Sequence, residues 1–224
     1  MCIDKIVLNI PHSRAAGFSE YGWGNDVLPY VKEWTDWHTD ILFFSLDLRV
    51  IPVIFELSRF VVDVERLIDD PMEKVGQGII YRNFGDAVRG DVDANVLMDF
   101  YHKHHNALKS ALTGTSLLID CHSYPEHVCK DVDICIGFND DASKPSEDLI
   151  GLIVSHFADC GYRVGINTPY SNSITPDMPF VYPSVMIELN RAIYADADGC
   201  KRTYKAIVSL YDKIFLRYGN KNQN

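Results

Sequence analysis

Leu117-Leu118-Ile119-Asp120-Cys121-His122-Ser123 is an apolar run that closes on an acid and a histidine, and two other segments are built the same way. They are Ile6-Val7-Leu8-Asn9-Ile10-Pro11-His12-Ser13 and Val185-Met186-Ile187-Glu188-Leu189-Asn190-Arg191. As neighbouring parallel strands, the three would bring His12, His122 and Glu188 out together at the carboxyl edge of one sheet, where open α/β folds keep their sites. A fourth stretch, Thr35-Asp36-Trp37-His38-Thr39-Asp40, adds acids of its own. Two imidazoles and carboxylates converging on one edge point to a hydrolytic zinc centre.

The rest of the chain supports that sheet. Residues 28–48 carry Val31, Trp34, Trp37, Ile41, Leu42, Phe44 and Leu48 at helical spacing, which predicts a first long helix. Residues 50–55 and 59–64 are rich in β-branched and aromatic residues and read as two short strands. Asp69-Asp70-Pro71 with Gly76, Gly78, Gly85 and Gly90 makes 65–90 a long irregular excursion, of the kind that lines a site. Helices are expected over about 93–112, 146–160 and 200–218, the second capped by Gly161, with further strands at 133–138 and 162–166. Strands alternating with helices predict an α/β fold with a mainly parallel sheet. One domain over residues 1–224 is expected, because the chain holds no linker, repeat or low-complexity tract.

Composition narrows the function. A net charge of −10 repels phosphate backbones, so nucleic acid is excluded as a partner. The six cysteines contain no C-x-x-C pair and fit reduced, packed thiols. The amino terminus runs directly into a strand pattern without the basic and apolar regions of an export signal, and no stretch is long and apolar enough to span a bilayer. A cytoplasmic protein that avoids membranes is the expectation.

Each candidate residue also has a plainer reading. A lone histidine after a strand is more often structural than ligating, and only the pairing of His12 with His122 argues for a shared ion. Asp36, chosen as the third ligand, could equally be a solvated helix residue. Glu188, at the end of a buried strand, suits a desolvated general base, against the plainer possibility of an ion pair with Arg191 or Arg66. Arg59 and Arg66 bracket the expected strand Phe60-Val61-Val62-Asp63-Val64, and a guanidinium fork can grip a carboxylate or support an oxyanion. His102, His104 and His105 share a predicted helix, with His105 expected to face inward.

Taken in order, Ile10-Pro11-His12-Ser13, Thr35 to Asp40, Ser58 to Arg66, Tyr101 with His105 and Leu108, Asp120 to Ser123, Asp133 to Gly137, and Ile187 to Arg191 with Tyr194 resemble the N-formylglutamate amidohydrolases. The resemblance implies a three-layer α/β/α sandwich with a mainly parallel, mixed central sheet, similar to the zinc carboxypeptidase-like hydrolases. It also implies one zinc per chain, held by His12, Asp36 and His122, with Glu188 activating water. Zinc carboxypeptidases take a glutamate three residues after the first histidine, where this chain has Ala15. Asp36 is therefore preferred from the Asp-Trp-His segment, with Asp40 as the fallback. The family's usual Asn-Arg pair is Glu65-Arg66 here, a departure that bears on substrate choice.

The function implied is hydrolysis of N-formyl-L-glutamate, or a similar small N-acyl amino acid, to formate and glutamate. Arg59 would support the oxyanion and Arg66 would grip a substrate carboxylate. A deacylase with another substrate, or a non-catalytic descendant that binds a small anion, would carry the same residues.

Overall fold

Lys5–Ile10 (β1) is followed by two short helices, Leu28–Trp34 (α1) and Thr39–Leu42 (α2), and by Val50–Ile54 (β2). A small hairpin, Asn83–Phe84 (β3) and Ala87–Val88 (β4), precedes Ala94–Ala111 (α3) and Ser116–Tyr124 (β5). Ile134–Gly137 (β6), Glu147–Asp159 (α4), Val164–Ile166 (β7), Ser184–Asn190 (β8) and Ala197–Tyr218 (α5) complete the chain. The structure, a computed structural model, describes residues 2–219.

Six strands form one sheet in the order β2-β1-β5-β8-β6-β7. Every pairing is parallel except that of β6 with β8, so the sheet is mixed but mainly parallel. The three apolar runs are indeed β1, β5 and β8, side by side.

Alternation along these strands decides what each face holds. One face presents Ile6, Leu8, Ile119, Cys121, Val185 and Ile187 to α5 and α4, where Ile207, Leu210, Ile214, Leu149, Ile153 and Phe157 close a dry core. The other presents Val7 and Leu118 to Leu108 and Leu112 at the end of α3, and to Ile174 and Tyr182 of the loop before β8. The sheet thus lies between α2, α4 and α5 on one side and α3 on the other.

Helix ends follow local chemistry. The carboxylate of Asp93 accepts the Asn95 N–H ahead of α3, and the Ser146 hydroxyl accepts the Leu149 N–H ahead of α4. Gly161 takes the left-handed conformation just past α4, with φ 88°, as predicted.

Two expectations are corrected. The long first helix is broken: α1 stops at Trp34, and α2 restarts at Thr39 after His38 adopts φ 68°. At the break, the Thr35 hydroxyl donates to the Val31 carbonyl at 2.6 Å and the Asp36 N–H leaves the helix for the His12 carbonyl at 2.9 Å. Residues 59–64 are not a strand either. Their apolar side chains Phe60, Val62 and Val64 are fully buried, which mimics a strand pattern, but the backbone folds into turns such as Val61 N–H to Ser58 carbonyl, 2.8 Å.

Candidate active site

The register of the sheet assembles the centre. His122 lies inside β5 rather than after it, directly opposite Glu188 on β8, and Asn9 on β1 stands opposite Asp120. His12 follows two residues after the end of β1. The break between α1 and α2 brings Asp36 over them, and Arg191 fixes that break by donating to the Thr35 carbonyl at 2.6 Å.

His12, Asp36 and His122 form one buried group whose ligand atoms all lie within 4.8 Å of each other. Nδ1 of His122 is 3.0 Å and Nδ1 of His12 3.7 Å from the same Asp36 oxygen, Oδ2. The far nitrogens are occupied. Nε2 of His12 donates to Asp63 Oδ1 at 2.7 Å, and Nε2 of His122 donates to Asp120 Oδ1 at 3.0 Å.

Both acids are held as acceptors. Asp63 also receives the Glu65 N–H at 3.1 Å, Arg59 Nη2 at 2.8 Å and the Tyr81 hydroxyl, and Asp120 receives Asn9 Nδ2 at 2.8 Å and the Ile174 N–H at 3.1 Å. With Nε2 protonated in each ring, both Nδ1 atoms offer lone pairs towards a carboxylate. Acceptors facing acceptors call for a cation, and Nδ1 of His12 is buried without any hydrogen-bond partner.

The electrostatics carry the same demand. Burial raises the Asp36 carboxyl, but the two histidine rings beside it, His12 and the hydrogen-bonded His122, outweigh it and hold the group well below the usual carboxylate range. Burial lowers His122, yet Asp120 and Asp36 draw the ring well above an ordinary imidazole. A divalent ion bound there would take the place of the proton that otherwise joins His122 to Asp36. Two imidazole nitrogens and one carboxylate oxygen suit zinc with one position left open, and carboxylate-backed histidines are the usual support of such an ion.

Glu188 is neither paired with Arg191 nor with Arg66. Its Oε2 is buried without a partner, and burial, reinforced by Asp36 and Asp120 and opposed by His122, pushes its carboxyl up to about 8. Asp40 lies apart from the histidines, against Arg14 Nη1 at 2.5 Å. Arg59 and Arg66 both line the cavity beside the centre, but each already faces Asp63.

A second acidic group, Glu65 with Asp120, shares His122. Asn9 donates one amide hydrogen to Glu65 at 2.9 Å and the other to Asp120 at 2.8 Å, and its oxygen accepts Nε2–H of His104 at 2.8 Å. Because Nε2–H of His122 is spent on Asp120, these acids support the histidine from behind. His104, not His105, is therefore the inward histidine of α3; His105 sits half-buried and donates to the Val64 carbonyl at 2.9 Å.

Asp63, Asp120 and Asn9 were given no role by the sequence, and His104 was passed over for His105. A signal existed for two of them: Asn9 and Asp120 are lone polar residues inside runs otherwise buried on both faces, and such residues need partners. Asp63 had none, since its segment read as a strand.

Comparison with known proteins agrees with this geometry. The sequence profile described as N-formylglutamate amidohydrolase matches residues 4–195. Among solved structures, the N-formylglutamate amidohydrolase from Ralstonia eutropha JMP134 superposes with a TM-score of 0.78 at 19% identity, covering 97% of this chain and 95% of that one. A gene product of Agrobacterium tumefaciens gives a TM-score of 0.71 at 16% identity, covering 96% of this chain and 91% of the other. No curated protein matches the chain. These two structures establish the fold; the profile, spanning most of the chain, establishes descent, and the chain belongs to the N-formylglutamate amidohydrolase family of amide-bond hydrolases.

Proposed function

We propose that this chain is a zinc-dependent hydrolase of N-acyl amino acids, with N-formyl-L-glutamate, cleaved to formate and glutamate, as the reference substrate. The observation that carries the reading is a buried carboxylate with an unpartnered oxygen, Glu188 Oε2, beside two histidines whose lone pairs converge on Asp36. His12, Asp36 and His122 would hold the ion. When bound, zinc supplies a Lewis acid for the acyl oxygen and lowers the pKa of water towards 7.

Glu188 does the proton work. Burial raises the proton affinity of its carboxyl, and as a carboxylate beside the bound ion Oε2 would take a proton from the attacking water and return it to the departing amine nitrogen. Arg59, held by Asp63 and by Tyr81 at 3.2 Å, is a fixed guanidinium on the cavity wall, suited to an oxyanion. Arg66 is more loosely paired and has donors to offer a substrate carboxylate.

Glu188→Gln tests the reading. The variant is expected to keep one zinc per chain by metal analysis while turnover of N-formyl amino acids falls about 10²–10⁴-fold. Unchanged turnover with metal retained would remove Glu188 as the base; absence of zinc from the wild type would remove the centre.

A further inference from the structure

The cavity beside the histidines encloses about 720 Å³, and the loop before β8 supplies part of its wall, from Tyr170 to Thr175. That loop is pinned on both sides of Asn172. The Tyr170 carbonyl accepts the Cys135 thiol at 3.1 Å. Asn139 grips Ser173 with both ends of its amide, donating to the carbonyl at 2.9 Å and accepting the N–H at 3.2 Å. The Ser173 hydroxyl meets that of Ser184 at 2.7 Å, and the Ile174 N–H donates to Asp120 at 3.1 Å.

Asn172 stands between these anchors and shares none of them. It is exposed, it lines the cavity, and its side chain makes no hydrogen bond among the described residues. Its backbone is left-handed, with φ 73°, a conformation that glycine takes more readily than asparagine. Its carbonyl lies against Gly137, where a Cβ would come within 2.8 Å. The chain thus fixes where this amide stands and makes no use of it.

Reach decides what the amide can meet. His122 and Glu188 are buried, so the scissile bond is held deep in the cavity with the α-carboxylate close beside it. The side-chain carboxylate of a glutamate compound is carried outwards by its methylenes, towards the exposed wall.

We infer that Asn172 is a specificity-determining residue, whose two amide hydrogens are donated to the carboxylate at the end of the substrate's side chain while Arg66 takes the α-carboxylate. Asp141, two residues beyond Asn139, is turned onto its own loop, accepting the Ser143 N–H at 2.8 Å and hydroxyl at 2.6 Å. The inference rests on the hydrolase reading and names the residue that reads the distal end of its substrate.

Asn172→Gly tests it, because glycine removes the amide and suits the left-handed backbone, so the loop keeps its course. On the zinc-loaded protein, KM for N-formyl-L-glutamate is expected to rise about tenfold with kcat little changed. N-formyl-L-norvaline has a side chain of similar length without the carboxylate, and its kcat/KM should stay within about twofold. An equal loss on both compounds would report a displaced loop and overturn the inference, as would an unchanged KM for the glutamate compound. Asn172→Asp keeps the shape and replaces the donors by a charged acceptor; it should raise that KM at least as far, and no rise there would also overturn the assignment.

Calorimetric binding of N-formyl-L-glutamate to zinc-loaded Glu188→Gln, with and without Asn172→Gly, reads the same contact without turnover and decides the matter if the norvaline compound is cleaved too slowly to measure. If the wild type cleaves neither compound but Asn172→Gly weakens binding about tenfold, the hydrolase reading falls and the contact stands. If N-formyl-L-glutamate is neither cleaved nor bound, the inference falls.

Discussion

The two faces of the sheet are made from the same strands and do opposite things. On the α4/α5 side, Ile119, Cys121, Val185 and Ile187 pack into the apolar core; one residue along on β5 and β8, Asp120, His122 and Glu188 lie on the opposite face and line the cavity, where Asp120 and His122 are hydrogen-bonded. A single step of the β pleat therefore separates the groups that hold the fold from the groups that hold the chemistry. The dry face tolerates loss of volume badly. The polar face depends instead on specific neighbours, with Asp120 and His122 hydrogen-bonded and Glu188 Oε2 left without a partner.

Substitutions on the two faces should separate stability from metal binding. The largest effect is expected from Ile187→Ala on the dry face, which leaves a cavity beside α5 and should cost about 2–5 kcal/mol in denaturant unfolding. Zinc affinity of the folded fraction should stay close to the wild-type value. A parallel fall in affinity would show that the faces are coupled.

Asp120→Asn attacks the polar face. Losing the carboxylate that orients His122 should weaken zinc binding about 10–100-fold in a chelator competition, with little change in unfolding midpoint of the metal-free protein. Affinity within a factor of two of wild type would mean that Asp120 does not support the ligand.

The smallest effect is expected at His104, and it depends on pH. Burial, with a smaller push from His105, lowers this ring to about 3, so the folded chain keeps it neutral while the unfolded chain binds a proton below about 6.5. Its contribution is fully present above about pH 6.5 and is lost as the pH falls towards 3. The stability gap between wild type and His104→Gln should therefore narrow as the pH is lowered from 7 to 5. A gap that stays constant would show that His104 is not held neutral by the fold.

Much of the architecture could be read from the chain because it rests on local patterns. The runs ending at Ile10, Ser123 and Arg191 are β1, β5 and β8, the helix before Gly161 ends there, and the alternation of strands with helices gave the parallel character of the sheet. The break at Thr35–His38 was hidden, since helical spacing of apolar residues on both sides of it reads as continuous. Residues 59–64 were misread for a related reason: full burial of alternate apolar side chains looks the same in a strand and in a packed turn.

The sequence by itself determined which side chains were available for a metal centre: His12, Asp36, His122 and Glu188 can be picked out from where they stand in or beside apolar runs, and family likeness orders them. The tertiary structure decided which nitrogen of each histidine faces Asp36, because Asp63 and Asp120 reach them from segments 51 residues and two residues away and take up the Nε2 hydrogens. It also decided that Asp40 pairs with Arg14 and that His104 rather than His105 supports the site. Hydrogen bonds and charge balance act over a few ångströms in space, whereas pattern in a sequence registers only neighbours along the chain.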